Sequence, residues 1–140
     1  MYLHRLLLAI FFAASLGTVI ELLFLEHYED AWQIVPFAVV LLGCVSAGWY
    51  ASDRTARSDR WFRTVLVLFA ASGVVGLGLH FKGNLEFARD QDDSLRGIAL
   101  LWEVLTGATP ALAPGMMIFL AAIGYAAIRA ADQPLASPRS

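Results

Sequence analysis

Four long runs of apolar residues divide the chain, and short polar stretches separate them. An α-helix rises 1.5 Å per residue, so about 20 residues cross a hydrocarbon core of roughly 30 Å. The runs approach that length, and they cover residues 6–25, 34–51, 64–81 and 114–131. The pattern therefore predicts an all-α integral membrane protein with four transmembrane helices.

The first run also has features of a signal peptide. Arg5 precedes it, and three small residues, Ala13 to Ser15, are typical of a cleavage site. Apolar residues nevertheless continue past that site as far as Leu25. We therefore interpret the first run as a membrane-spanning helix.

The region before the last span is the least regular. Lys82 to Asp93 is polar and mostly acidic, and apolar residues then continue from Leu95 to Arg129 with few breaks. A single helix of that length would reach about 50 Å, and Pro110 and Pro114 do not suit a helix interior. We predict a short helix over 94–106, before the last span.

The predicted short helix has one apolar side, formed by residues such as Leu95, Ile98 and Trp102 at helical spacing. Asp93 or Ser94 is expected to cap its start. Such a helix either lies at the membrane interface or re-enters the membrane, and the sequence leaves both alternatives open.

Basic residues are distributed unequally between the two sides of the predicted bundle. One side carries seven arginines and three aspartates, a net charge of +4. The other carries three basic residues and nine carboxylates, a net charge of −6, and together they give the formal net charge of −2. Because lysine and arginine resist translocation, we predict cytoplasmic N- and C-termini in a plasma (inner) membrane, with residues 132–140 as a disordered cytoplasmic tail. The seven arginines are Arg5, Arg54, Arg57, Arg60, Arg63, Arg129 and Arg139.

Composition and motifs narrow the class of function. Hydrophobic residues make up 59% of the chain and charged residues 16%, which fits a membrane protein. The single cysteine, Cys44, excludes an intramolecular disulfide and any CxxC motif. The sequence has no GxSxG, HExxH or phosphate-binding glycine loop and no large basic surface. We therefore expect neither an enzyme nor a nucleic-acid-binding protein.

Pairs of small residues four positions apart are typical of contacts between transmembrane helices. Such pairs occur in the second, third and fourth spans, and they leave homo-oligomerisation open. They are Gly43 with Ala47, Ser72 with Gly76, and Ala122 with Ala126.

Five polar residues are expected near one membrane surface, on the side opposite the arginines. They are Glu21, His27, His80, Glu86 and Glu103. Two histidines with carboxylates are ligands for a divalent transition metal, and facing histidines also ligate haem iron. The simpler alternative is that Glu21, inside an apolar run, pairs with His80, Lys82 or Arg96.

Two functions remain as hypotheses. The first is an accessory or interaction protein of the lipid bilayer, whose acidic surface binds another membrane or extracytoplasmic protein. The second is a metal-, haem- or small-ligand-binding membrane protein that uses the five polar residues. The first hypothesis depends on six acidic residues, Glu26, Glu29, Asp30, Asp90, Asp92 and Asp93.

Overall fold

A computed structural model describes residues 2–107 and 109–132. Four of its helices are long and apolar enough to cross a membrane, and a short apolar helix precedes the last of them. The predicted fold class is therefore confirmed, and the chain is a multi-pass membrane protein. The helices are α1 (Tyr2–Phe24), α2 (Ala31–Ser52), α3 (Ala56–Gln91), α4 (Gly97–Thr106) and α5 (Gly115–Asp132). Of the tail predicted over 132–140, Asp132 belongs to α5 and the rest lies outside the described residues.

Helix α3 is much longer than the apolar run that predicted it. It has 36 residues, which corresponds to about 54 Å. At its start the Thr55 side chain accepts a hydrogen bond from the Ser58 N–H, while Thr55 N–H donates to Ser58 Oγ. This capping box begins the helix within the arginine-rich segment. At the other end the polar stretch 82–91 is helical, and α4 packs against α3 where Asn84 and Ala88 are buried.

Helix α2 also begins earlier than its apolar run. The Asp30 carboxylate accepts hydrogen bonds from the N–H groups of Trp32 and Gln33, at 2.7 and 3.0 Å. This cap starts the helix at Ala31. Pro36 consequently lies in the second turn of α2.

The prediction for the start of α4 was wrong by one turn. Asp92 ends α3, and its carboxylate accepts hydrogen bonds from both the N–H and the hydroxyl of Ser94. Ser94 is thus part of a turn and caps no helix. Helix α4 instead begins at Gly97, whose φ of +58° favours glycine.

The four spans form a ring in the order α1, α5, α3, α2. α4 and α5 both pack along α3, one after the other, and the seam between α1 and α2 is the loosest contact in the ring. We call residues 25–30, 82–107 and 109–113 the acidic end, and residues 2–5, 52–63 and 129–132 the arginine-rich end.

Aromatic rings fill the centre of the ring. Phe11 of α1 meets Phe62 and Phe69 of α3, with ring centroids 5.6 and 5.7 Å apart. All three side chains are fully buried. Gly43 of α2 lies against the Phe69 ring, so closely that a Cβ atom there would overlap the ring. Small residues on α2 therefore allow the bulky ones on α3 to pack.

Small residues form helix contacts at two of the three predicted pairs. Gly43 and Ala47 are buried, and a Cβ on Gly76 would lie 2.7 Å from Pro114. The prediction for α5 was wrong, because Ala122 and Ala126 are exposed. The small residues of α5 that face the bundle are Ala121, Gly124 and Ala127.

Candidate functional site

The end of α1 determines where His27 lies. Glu26 adopts a left-handed conformation with φ of 51°. The His27 N–H donates to the Leu22 carbonyl at 2.9 Å, and the Glu26 N–H donates to the Leu23 carbonyl at 3.1 Å. These two bonds form a Schellman motif, which ends the helix and reverses the chain. The reversal leaves the His27 side chain half-buried.

His80 of α3 is oriented by the loop between α4 and α5. Its Nδ1 lies 3.1 Å from the Pro110 carbonyl oxygen. A carbonyl only accepts hydrogen bonds, so Nδ1 carries the proton and donates. In the neutral ring Nε2 then keeps its lone pair, which is the arrangement found when a histidine binds a metal through Nε2.

The structure brings the two predicted histidines together. The ring centroids of His27 and His80 are 6.0 Å apart, and the rings are inclined by 47°. This separation is short enough for one small ligand to contact both rings. The pair can also hold a polar ligand or a shared proton.

Burial lowers the pKa of His27, and the neighbouring His80 lowers it further, whereas Asp30 acts in the opposite direction. Desolvation disfavours the charged imidazolium, and a second histidine adds repulsion when both carry a proton. His27 is therefore neutral at physiological pH. A neutral imidazole is the form that binds metals or accepts hydrogen bonds.

The three predicted carboxylates are exposed. Glu86 makes an ion pair with Lys82 at 3.6 Å, one turn along α3, and Glu103 lies on α4. Glu21 makes no ion pair within residues 2–107 and 109–132, although His80, Lys82 and Arg96 were predicted partners. Those three groups bond elsewhere: Lys82 to Glu86, His80 to the Pro110 carbonyl, and Arg96 to the carbonyls of Asp93 and Leu95.

Over the described part of the chain, no three His, Cys, Asp or Glu side chains form a group that could hold a metal ion. For the five predicted site residues, the contact between site members that the structure shows is the one between the rings of His27 and His80. Binding of a metal, a haem or another ligand stays a prediction, and it now depends on His27 and His80.

Asn84 is the polar residue whose role the sequence did not reveal. It lies one helical turn beyond His80 and is 2% exposed. Its Nδ2 donates to the carbonyls of Val104 and Thr109, and its Oδ1 accepts from the N–H and hydroxyl of Thr109. Asn84 therefore fixes the end of α4 and the start of the following loop. A lone amide in a polar stretch gives no sign of these contacts.

Asn84 and His80 together hold the segment that connects α4 to α5. Residues four apart lie on one face of a helix, and this face of α3 contacts the segment at Thr109 and Pro110. Gly107 fits beside Asn84, where a Cβ would lie 3.2 Å from the amide carbon. The position of His80 relative to His27 thus depends on an ordered loop.

Comparison of this chain with protein-family models, with curated proteins and with solved structures gave no match.

Proposed function

We propose that this chain is an accessory protein of the membrane that binds a partner protein at its acidic end. The observation that carries the proposal is the hairpin formed by residues 82–91 of α3 and by α4. This hairpin extends beyond the apolar run of α3 and presents apolar side chains outward. Ile98 is 82% exposed and Trp102 is 68% exposed.

Helix α4 is apolar on two sides, and α3 covers one of them. Val104 faces α3 and is 1% exposed. Next to that covered side, helical spacing brings four exposed apolar residues together, namely Ile98, Leu101, Trp102 and Leu105. Contiguous exposed apolar side chains are typical of a contact surface. This side of α4 is the proposed centre of the interface.

Acidic side chains surround the tip of the hairpin. Asp90, Asp92 and Asp93 are exposed, and none forms an ion pair with a basic side chain of the described residues. The Ser94 hydroxyl and N–H lower the pKa of Asp92, so its negative charge is favoured. The chemistry of this surface suits a partner with an apolar centre and basic residues around it.

We further infer that the arginine-rich end faces the cytoplasm, in a plasma (inner) membrane. The excess of arginine there supports this orientation. The acidic end, and with it the proposed interface, is then extracytoplasmic. The partner is accordingly a second membrane protein or an extracytoplasmic protein.

Co-purification after mild solubilisation tests the proposal. We compare the natural chain with a variant that carries Asp90→Asn, Asp92→Asn and Asp93→Asn; asparagine keeps the acceptor oxygen at position 92. The control variant carries Asp53→Asn, Asp59→Asn and Asp132→Asn, which removes the same charge from the arginine-rich end.

We expect a partner that dissociates with rising salt, is lost from the first variant and is retained by the control. The partner, once identified by mass spectrometry, is purified and its binding measured directly. Equal binding by both variants would contradict the proposal.

The histidine pair supports a second candidate function, the binding of a transition metal or small ligand. The 6.0 Å separation of the rings and the hydrogen bond that orients His80 favour it. Imidazole nitrogens that carry no proton are good ligands for copper and zinc.

Elemental analysis and an absorption spectrum of detergent-purified protein test this second function. Stoichiometric metal or a haem band in the natural chain, absent from His27→Gln and His80→Gln, would support it. Glu21→Gln and Glu103→Gln then report whether the predicted carboxylates contribute. Metal-free, colourless protein that binds no added zinc or copper would contradict it.

A further inference from the structure

A cleft opens between α1 and α2 at the arginine-rich end. Its volume is about 740 Å³, within the range of small-ligand sites. The cleft exists because the seam between these two helices is loose and because small side chains line it on α2. Its lining includes Arg5, Leu8, Ala9, Phe12, Ala51 and Arg54.

Two arginines lie at this cleft, one from each side of the seam. Neither Arg5 nor Arg54 has a carboxylate within 4.0 Å among the described residues, whereas Arg63 forms ion pairs with Asp59 and Asp132. The Arg54 guanidinium lies over the Tyr50 ring, 5.9 Å from its centroid, and this contact positions it. The cleft therefore has two positive charges that the described acidic residues leave unpaired.

The cleft continues from the arginines along an apolar wall. Leu8 and Phe12 follow Arg5 on α1 at helical spacing, and seven residues of helix correspond to about 10 Å. This wall runs from the end of the bundle towards the middle of the membrane. Positive charge at the end of an apolar wall matches the two parts of an anionic phospholipid, a phosphate and an acyl chain.

Another cleft at this end has a different chemistry. It is smaller, about 250 Å³, and its lining includes the carboxylates of Asp59 and Asp132 together with Tyr50 and Arg54. Those carboxylates would repel a phosphate. Arg57 and Arg60 lie outside the first cleft, and Arg57 lies over the ring of Trp49.

We propose that the cleft between α1 and α2 binds one anionic phospholipid, with its phosphate between Arg5 and Arg54 and an acyl chain against Leu8 and Phe12. Guanidinium groups bind phosphate through paired N–H donors. The bound lipid would fill the loose seam and join the two helices. The site differs from a general attraction to anionic membranes, because it depends on two particular arginines.

Native mass spectrometry of the full chain in detergent tests the proposal, with phosphatidylglycerol and phosphatidylcholine as probes. The site variant carries Arg5→Gln and Arg54→Gln. The control carries Arg57→Gln and Arg60→Gln, with the same change in charge. A third variant, Ala9→Phe, fills the cleft and leaves the charge unaltered. Circular dichroism confirms that each variant keeps its helical content.

We expect one phosphatidylglycerol per chain, bound in preference to phosphatidylcholine. The site variant should weaken this binding roughly thirtyfold, and the control less than about threefold. Ala9→Phe should also weaken it.

Equal losses in the site variant and the control would mean general electrostatic attraction and would overturn the proposal. So would equal binding of the two lipids, or unchanged binding in Ala9→Phe. Inorganic phosphate at the lipid concentration should not displace the lipid. Displacement would show that the site takes a free anion and would also overturn the proposal.

Discussion

The Asn84 side chain makes three hydrogen bonds to Thr109, to its carbonyl, its N–H and its hydroxyl, at 2.7, 3.1 and 2.8 Å. A fourth joins Asn84 to the Val104 carbonyl. One buried amide therefore holds α4 and the following loop against α3. The Pro110 carbonyl of this loop in turn accepts the hydrogen bond that orients His80. Both candidate functions use this end of the molecule, so both depend on Asn84.

Asn84→Ala should destabilise the protein by about 2–3 kcal/mol, because it leaves the buried Val104 carbonyl without this partner and removes the hydrogen bonds to Thr109. Hydrogen exchange of residues 97–107 should rise more than exchange in α1 or α2. Thermal unfolding in detergent measures the global effect. Gln91→Ala is the control, since Gln91 is an exposed amide at the end of the same helix. Similar exchange in both variants would show that Asn84 does not hold the hairpin.

Glu26→Gly should stabilise the protein by about 1 kcal/mol. Glu26 has φ of 51°, and a side chain in that conformation is strained, whereas glycine is not. Glu29→Gly is the control for removal of a glutamate from the same loop, and it should not stabilise. The measurement is the midpoint of thermal unfolding for the three proteins. A lower midpoint for Glu26→Gly would argue against the Schellman motif at this position.

Gly43→Ala should lower the free energy of unfolding by about 1–3 kcal/mol, because the added Cβ overlaps the fully buried ring of Phe69. Gly48→Ala on the same helix is the control: a Cβ there meets nothing within 4 Å. That change should be neutral or stabilising by up to about 1 kcal/mol. If the two substitutions had equal effects on unfolding, the proposed contact between α2 and α3 would be wrong.

The His27 pKa predicts a dependence of stability on pH. Burial and His80 lower this pKa below its ordinary value of 6.5, so the unfolded chain binds a proton more tightly than the folded protein does. The contribution of neutral His27 to the free energy of unfolding is fully present above pH about 6.5. It is lost as the pH falls through the pKa that His27 has in the folded protein. Thermal unfolding between pH 8 and 5 should show this loss, and His27→Gln should reduce it.

Nuclear magnetic resonance titration of His27 checks the cause of that shift. His80→Gln should raise the His27 pKa, because the neighbouring His80 lowers it, and Asp30→Asn should lower it, because Asp30 raises it. An unchanged pKa in His80→Gln would mean that the two rings do not interact.

The spans were predictable because lipid imposes a simple requirement, a run of apolar residues of sufficient length. The ends of the helices were less predictable. Lys82 to Gln91 is polar, but polar residues are compatible with a helix, and what orders the segment is its contact with α4. The caps at Asp30 and Thr55 likewise begin helices before the apolar runs begin.

The candidate site was predictable only in part. The sequence places His27 and His80 near the same membrane surface, at the ends of α1 and α3, and so predicted that they lie close together. The structure confirms that the two rings are in contact. The sequence did not reveal Asn84, because its partners, backbone groups and the Thr109 hydroxyl, lie 20 or more residues away. The small residues on α5 that face the bundle were also misplaced, since spacing alone does not tell which side of a helix faces its neighbours.

The central claim is that α4 binds a partner protein. The most direct test of this claim is site-specific photocrosslinking at Ile98. A photoreactive residue replaces Ile98 in the full chain, and a second one replaces Leu41 of α2, which is 66% exposed within a span. The account predicts a crosslink from position 98 to a protein, lost when Asp90, Asp92 and Asp93 are changed to asparagine. Position 41 should crosslink to lipid. Crosslinking of position 98 to lipid alone would place α4 in the membrane interface and contradict the claim.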